Sequence, residues 1–296
     1  MMRTFEGCWP ALLTPYTPQD DVNVEVLRAL VDHLLARGVS GFYVCGSTGE
    51  GPLQTVQERI LVTETVLDQV AGRVPVIVHV GAAALKDARR LAEHARSAGA
   101  AGVSSILPPV LYDAHGIVPF FEAIAAAAAE LPFLSYLFGS SRDAAALMRD
   151  LGHIPNLAGT KYTGPNMYEM NQLVRFRSNG WTVFSGMDEQ AALARMYGAA
   201  GCIGSTLNIM PGVYREIYAS LAAGDAPRAL DLQQRANRVT GLLLDMGFAA
   251  ALREALRVLG FDCGRPRLPN VPAAEAQLAA LRAGLHEAGF AELAAL

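Results

Sequence analysis

Two lysines, Lys86 and Lys161, stand among twenty-two arginines in this 296-residue chain. An arginine guanidinium stays protonated and cannot act as an amine nucleophile. A lysine amine attacks a ketone when its surroundings keep it partly neutral. Lys161 falls in N-L-A-G-T-K-Y-T, residues 156–163, a stretch that reads as a short buried strand with the lysine near its C-terminal end. Taken alone, the stretch also fits a lysine that ends a strand and reaches for water. Other chemically capable residues occupy similar places. In G-S-T-G-E, residues 46–50, Ser47 and Thr48 lie between glycines just ahead of a helical pattern. Hydroxyls and backbone N–H groups there suit an anion such as a carboxylate, although an ordinary N-cap turn has the same composition. Tyr136 lies in an apolar run and could relay a proton; a lone strand tyrosine is also an ordinary core residue. Thr163 follows Lys161 by two. Gly186-Met-Asp-Glu189 sets Asp188 and Glu189 side by side, either as acceptors or as the acids that helix N-termini favour. Ser205 opens S-T-L-N.

These residues need a frame that brings strand ends together. Strand patterns cover residues 7–14, 41–46, 74–81, 102–107, 133–138, 157–163, 182–186 and 201–205. Helical spacing fills 22–38, 55–70, 85–98 and 117–130, the last including the alanine run 125–129. Parallel neighbours need crossovers, and eight such units close into a (β/α)8 TIM barrel. A doubly wound open sheet is the alternative, but its glycine fingerprint is missing. In a barrel the reacting residues sit at the C-terminal strand ends, where every candidate above falls. Asp188, Glu189 and Ser205 are expected to be neighbours there, with Ser47 and Thr48 on the far side of the mouth. After Pro211 the pattern is helical: 213–222, 226–246, 249–259 and 273–288. The expected division is a catalytic barrel over 1–223 and a C-terminal helical extension over 224–296. No Gly/Ser-rich linker separates them, so the extension is expected to pack on the barrel.

With 52% hydrophobic and 18% charged residues the chain has a globular composition, long enough for one large core. A net charge of −4 gives no case for nucleic acid or an anionic membrane. Cys8, Cys45, Cys202 and Cys263 are scattered, without zinc-ligand spacing; buried free thiols and a reducing cytoplasm are the expectation. Residues 1–6 lack the apolar core of a signal peptide, and no apolar run is long enough to span a bilayer. No H-x-x-x-H, clustered Asp/His set, G-x-S-x-G elbow or P-loop is present, so no metal site is expected. His79, inside the third strand pattern, reads as a satisfied core residue.

With these motifs the sequence resembles the pyruvate-dependent class I aldolases, the family containing dihydrodipicolinate synthase and N-acetylneuraminate lyase. The motifs that carry it are G-S-T-G-E, the strand-five Tyr136 and the G-x-K of strand six. The stretches V-H-V-G at 78–81, G-M-D-E-Q at 186–190 and G-C-I-G-S-T-L-N at 201–208 look more like the neuraminate lyase branch. The resemblance implies a Schiff base between Lys161 and C2 of pyruvate, with no cofactor beyond that covalent bond. Ser47 and Thr48 would hold the carboxylate, and Tyr136 would pass the proton. Thr163 would lie near the imine, and Gly186, Asp188, Glu189 and Ser205 would bind a sugar tail. It implies cleavage of N-acetylneuraminate to pyruvate and N-acetylmannosamine by a homotetramer. Condensation of pyruvate with aspartate semialdehyde is the runner-up, and a non-catalytic keto-acid sensor a remote third. The chain departs from the family in two loops. After Tyr136 it reads L-F-G-S-S-R, with Arg142 six residues on, where the synthases have an arginine five on. After the fourth strand it reads P-P-V-L-Y, so Tyr112 would substitute, in shifted register, for a tyrosine that reaches the neighbouring subunit's site.

Overall fold

The computed structural model describes residues 5–107, 113–138 and 143–296. Eight short strands alternate with helices. They are β1 (Gly7–Pro10), β2 (Phe42–Val44), β3 (Val76–His79), β4 (Gly102–Ile106), β5 (Phe133–Phe138), β6 (Leu157–Thr163), β7 (Thr182–Ser185) and β8 (Gly201–Gly204). All pair in parallel, in the order β1-β8-β7-β6-β5-β4-β3-β2. A single bridge, Ala11 to Tyr43, joins the two ends of that order. The sheet is therefore a TIM barrel.

The first strand is shorter than the sequence pattern over 7–14. Pro10 has no N–H to continue a ladder, and beyond it the chain changes neighbours. Ala11 N–H donates to Gly204 O at 2.8 Å, whereas Leu12 N–H donates to Tyr43 O at 2.9 Å. That switch from β8 to β2 closes the barrel. Strand alternation divides the apolar residues in two. Trp9, Tyr43, Ile77, Leu134, Phe184 and Ile203 fill the barrel interior, while Phe42, Val44, Val78 and Phe133 face the helical layer.

The helices are α1 (Val24–Ala36), α2 (Val56–Val70), α3 (Leu85–Ser97), α4 (Ile117–Ala127), α5 (Ala144–Asp150), α6 (Met167–Val174), α7 (Ala191–Tyr197) and α8 (Pro211–Ala222). Their starts follow local chemistry. Asn23 accepts from Val26 N–H, and Thr55 and Glu58 form a reciprocal capping box. Helix α4 stops three residues before the expected 130. Asn156 Nδ2 donates to the carbonyls of Ala125, Ala128 and Leu131 at 3.0, 3.2 and 2.9 Å, which fixes the exit turn into β5. The C-terminal extension comprises α9 (Ala226–Met246), α10 (Phe248–Val258), α11 (Glu275–Glu287) and α12 (Phe290–Ala295). Its short last helix has no counterpart in the sequence reading. All four cysteines are free and buried. Among the described residues no helix is long and apolar enough to cross a membrane.

Candidate active site

The inward aim of Lys161 depends on a bulge. Phe133 pairs with Leu157 but Leu134 pairs with Gly159, so Ala158 is one extra residue in β6. Ala158 faces the barrel interior. Strict alternation from there would send Lys161 outward; the bulge restores it to the inside and leaves Tyr162 in the outer core. Gly159 takes φ +144°, and a Cβ there would overlap the Thr182 backbone. The glycine two residues before the lysine is thus a geometric requirement.

Lys161 is 5% exposed. Its Nζ lies 4.9 Å from the Tyr43 ring centroid and 4.2 Å from that of Tyr136. Among the described residues no carboxylate forms an ion pair with it. Lys161 and Tyr136 are direct register partners. Gly186 keeps the amine reachable: a Cβ there would overlap the Thr163 hydroxyl and press on Lys161 Cε at 2.9 Å. The Thr163 hydroxyl is buried and, among the described residues, has no hydrogen-bond partner. Tyr43 was not singled out from the sequence, yet it is the second wall of the amine. Its hydroxyl bonds Ser104 Oγ at 3.1 Å, and burial pushes its phenol well above the ordinary value. Strand parity was the available signal: Tyr43 is the inward residue of β2, and a buried tyrosine hydroxyl needs a partner. His79 is a satisfied core residue, as expected. The Ile106 N–H donates to its Nε2 at 3.1 Å, leaving Nδ1–H for Cys45 O at 3.1 Å. Burial, and then the Arg59 charge, hold it well below the usual histidine pKa.

Residues 46–50 form a tight turn after β2. Glu50 N–H donates to Ser47 O and Gly51 N–H to Gly46 O, both at 3.0 Å. Ser47 is exposed and Thr48 half-buried. The expectation that this turn sits across the mouth from Ser205 is wrong: Thr48 Oγ1 and Ser205 Oγ are 2.6 Å apart. Only β1 separates β2 from β8 around the barrel, so the two loops meet. Ser47, Thr48 and Ser205 line one cavity of about 230 Å³. A larger cleft of about 700 Å³, between residues 16–26 and 257–268, contains none of the candidate residues.

Asp188 and Ser205 are neighbours, as expected. Asp188 Oδ2 accepts from both the N–H and the hydroxyl of Thr206, each at 2.7 Å. Thr206 Oγ1 in turn accepts from the Tyr214 phenol at 2.6 Å. Oδ1 is buried and, among the described residues, without a hydrogen-bond partner; it packs where Gly204 leaves room, and any Cβ on Gly204 would overlap it. Burial pushes the carboxyl up to about 6, against the two Thr206 bonds. Glu189 is half-buried. Helix α9 braces this turn: Gln233 Nε2 donates to Asp188 O at 2.9 Å and Asn237 Nδ2 to Glu189 O at 3.0 Å.

Arg142, Tyr112 and residues 108–112 and 139–142 of the two unusual loops lie outside the described residues. Among those described, no three His, Cys, Asp or Glu side chains are gathered to hold a metal ion. What the barrel end offers is a buried amine between two aromatic faces, a hydroxyl-bearing turn after β2, the strand that supplies Tyr43, and two acids on the neighbouring strand end. Comparison with known proteins agrees with that chemistry. Residues 4–288 match the Dihydrodipicolinate synthetase family. An N-acetylneuraminate lyase from Rhizobium meliloti is 34% identical over 94% of this chain and 93% of its own. The solved structure of the Proteus mirabilis N-acetylneuraminate lyase superposes with a TM-score of 0.92 at 31% identity, covering 97% of this chain and all of that one. A Bacillus anthracis dihydrodipicolinate synthase gives 0.90 at 26% identity over 97% of this chain and 99% of that one. The chain belongs to the dihydrodipicolinate synthetase family.

Proposed function

We propose that this protein is a class I aldolase acting as an N-acetylneuraminate lyase. The observation that carries the reading is the Lys161 amine, free of any described counter-charge, held between the rings of Tyr43 and Tyr136 under the opening that Gly186 leaves. The amine attacks C2 of the keto acid, and loss of water leaves an iminium. Ser47 and Thr48 hold the carboxylate through hydroxyl and backbone N–H donors. The Tyr136 phenol relays the proton from the C4 hydroxyl as the C3–C4 bond breaks. Those bonding electrons pass into the iminium and give an enamine, and C4 leaves as the aldehyde. Protonation at C3 and hydrolysis then release pyruvate and the free lysine. Thr163 offers its unpartnered hydroxyl next to the imine. Asp188, Glu189 and Ser205 accept hydrogen bonds from the polyol tail, and Gly186 leaves that tail space.

Condensation of pyruvate with aspartate semialdehyde uses the same iminium, and a synthase is among the similar structures. Its dicarboxylic intermediate would meet the like charge of Asp188 and Glu189, which favours the sugar. Exposed Tyr168, Met196 and Tyr197 supply apolar surface for the homotetramer that the resemblance implies. The test is borohydride reduction in the presence of pyruvate, with the mass of the adduct peptide read, followed by product assays with each aldehyde. Adduct at Lys161 and faster cleavage of N-acetylneuraminate support the lyase. Faster condensation with aspartate semialdehyde moves the assignment to the runner-up, and an adduct without turnover of either leaves a sensor.

A further inference from the structure

The turn proposed to hold the keto-acid carboxylate is not anchored by the barrel alone. Glu50 closes it through its own N–H to Ser47 O, and does so at φ +54°, a left-handed conformation that a non-glycine residue keeps only where its surroundings hold it. The Glu50 side chain is 3% exposed, and its described partners come from the C-terminal extension. Arg253 of α10 donates to Oε2 at 2.7 Å. Asn270 Nδ2 donates to Oε1 at 2.8 Å, and the Arg267 N–H approaches both oxygens at 3.3 and 3.4 Å. Arg253, also 3% exposed, donates further to Cys263 O at 2.6 Å and Thr14 O at 3.1 Å. It thus ties the extension to the chain leaving β1 as well as to the turn after β2. Arg253 and Asn270 share the 230 Å³ cavity with Ser47, Thr48 and Ser205.

We propose that Glu50, Arg253 and Asn270 are positioning residues: the extension clamps Glu50 and thereby sets the hydroxyls of Ser47 and Thr48 for the keto-acid carboxylate. The proposal rests on the carboxylate reading of those hydroxyls. A buried ion pair of this kind is weak evidence for stability, since desolvation offsets most of the attraction. Its geometric consequence is stronger: with both oxygens held, Glu50 cannot rotate, and the Ser47 carbonyl bonded to its N–H cannot drift. The clamp therefore acts on how well pyruvate is captured and little on the chemistry at Lys161 once it is bound.

The experiment titrates borohydride trapping at Lys161 against pyruvate, and against hydroxyacetone, a ketone without the carboxylate. Glu50→Gln keeps the shape and removes the charge facing Arg253. It should raise the half-saturating pyruvate concentration about tenfold, leave the trapping rate at saturation within about threefold, and leave hydroxyacetone unchanged. Asn270→Ala, a milder change at a loop residue, should move pyruvate the same way by about threefold and carries the test if Glu50→Gln does not fold. Ser47→Ala separates the two layers of inference. If it raises the pyruvate requirement while Glu50→Gln and Asn270→Ala do not, the clamp is wrong and the carboxylate reading stands. If Ser47→Ala changes nothing, the carboxylate reading fails and the clamp with it. Equal losses for pyruvate and hydroxyacetone in the clamp variants mean general damage to the pocket and overturn the proposal.

Discussion

Lys161 and Asp188 are each 5% exposed and lie at adjacent strand ends of one barrel mouth, yet their charges are handled in opposite ways. The lysine receives aromatic faces and, among the described residues, no carboxylate partner. The aspartate receives, among the described residues, two donors on one oxygen and none on the other. Each arrangement leaves one atom uncommitted: the amine on β6 and Oδ1 after β7. Burial without full compensation is how a fold keeps a polar group ready for a ligand. The difference lies in what fixes the group. Lys161 is set by backbone, through the Gly159 bulge and the absent side chain of Gly186. Asp188 is set by a side-chain network running through Thr206 to Tyr214.

The largest break in this comparison is Lys161→Arg. Charge and much of the length remain, but the transferable amine is lost. Borohydride with pyruvate should label the wild type at Lys161 and this variant not at all, with no measurable cleavage of the sugar acid. Label at the exposed Lys86 instead would overturn the site.

Next in size is Tyr136→Phe, which keeps the ring beside Nζ and deletes the phenol. A general acid–base group contributes about 100- to 10,000-fold, so kcat should fall by that order while the pyruvate adduct still forms. A fall below about threefold would hand the proton to another group.

The barrel and the strand-end placement of most candidate site residues were legible because their signals are local. The apolar runs that carry Tyr136, Lys161 and Gly186 near their C-terminal ends mark strands whatever they pair with, and G-S-T-G-E announces a turn. Features that depend on partners far along the chain were not legible. Arg253 reaches Glu50 across 203 positions, and nothing near either residue announces the other. The meeting of Thr48 with Ser205 was misjudged for the same reason: it follows from β1 ending at Pro10 and the chain crossing to Tyr43, a closure detail that eight strand patterns leave open. Tyr43 was missed because its neighbours Phe42 and Val44 make the run look uniformly apolar.

Asp188→Asn tests the other half of the comparison. The amide oxygen can keep the two Thr206 donors, while the amide nitrogen replaces the free acceptor Oδ1 with a donor. Loss of a charged acceptor for a substrate hydroxyl costs about 1.5–3 kcal/mol, or roughly 10- to 150-fold in kcat/KM for N-acetylneuraminate. Pyruvate trapping at Lys161 should change by less than about threefold. Wild-type cleavage of the sugar acid by this variant would remove Asp188 from the tail site.

The smallest effect is the pH response of the same carboxyl. Its ordinary value is 3.8 and burial pushes it up to about 6, so the folded state holds its proton more tightly than the unfolded state. Below pH 3.8 both states are protonated and burial carries no ionisation cost. As pH rises from there to 6, the unfolded chain releases the proton first, and stability falls. The rise from 3.8 to about 6 corresponds to a loss on the order of 3 kcal/mol, complete above pH 6. Chemical denaturation at pH 4 and pH 7 should therefore show wild type losing ground against Asp188→Asn over that interval. Activity runs the other way, because only the ionised carboxylate is a pure acceptor. Wild-type kcat/KM for the sugar acid should rise about tenfold between pH 5 and pH 7, bending near 6, and that bend should be missing from Asp188→Asn. The same bend in both proteins would assign the titration to another group and leave Asp188 as a brace for Thr206 alone.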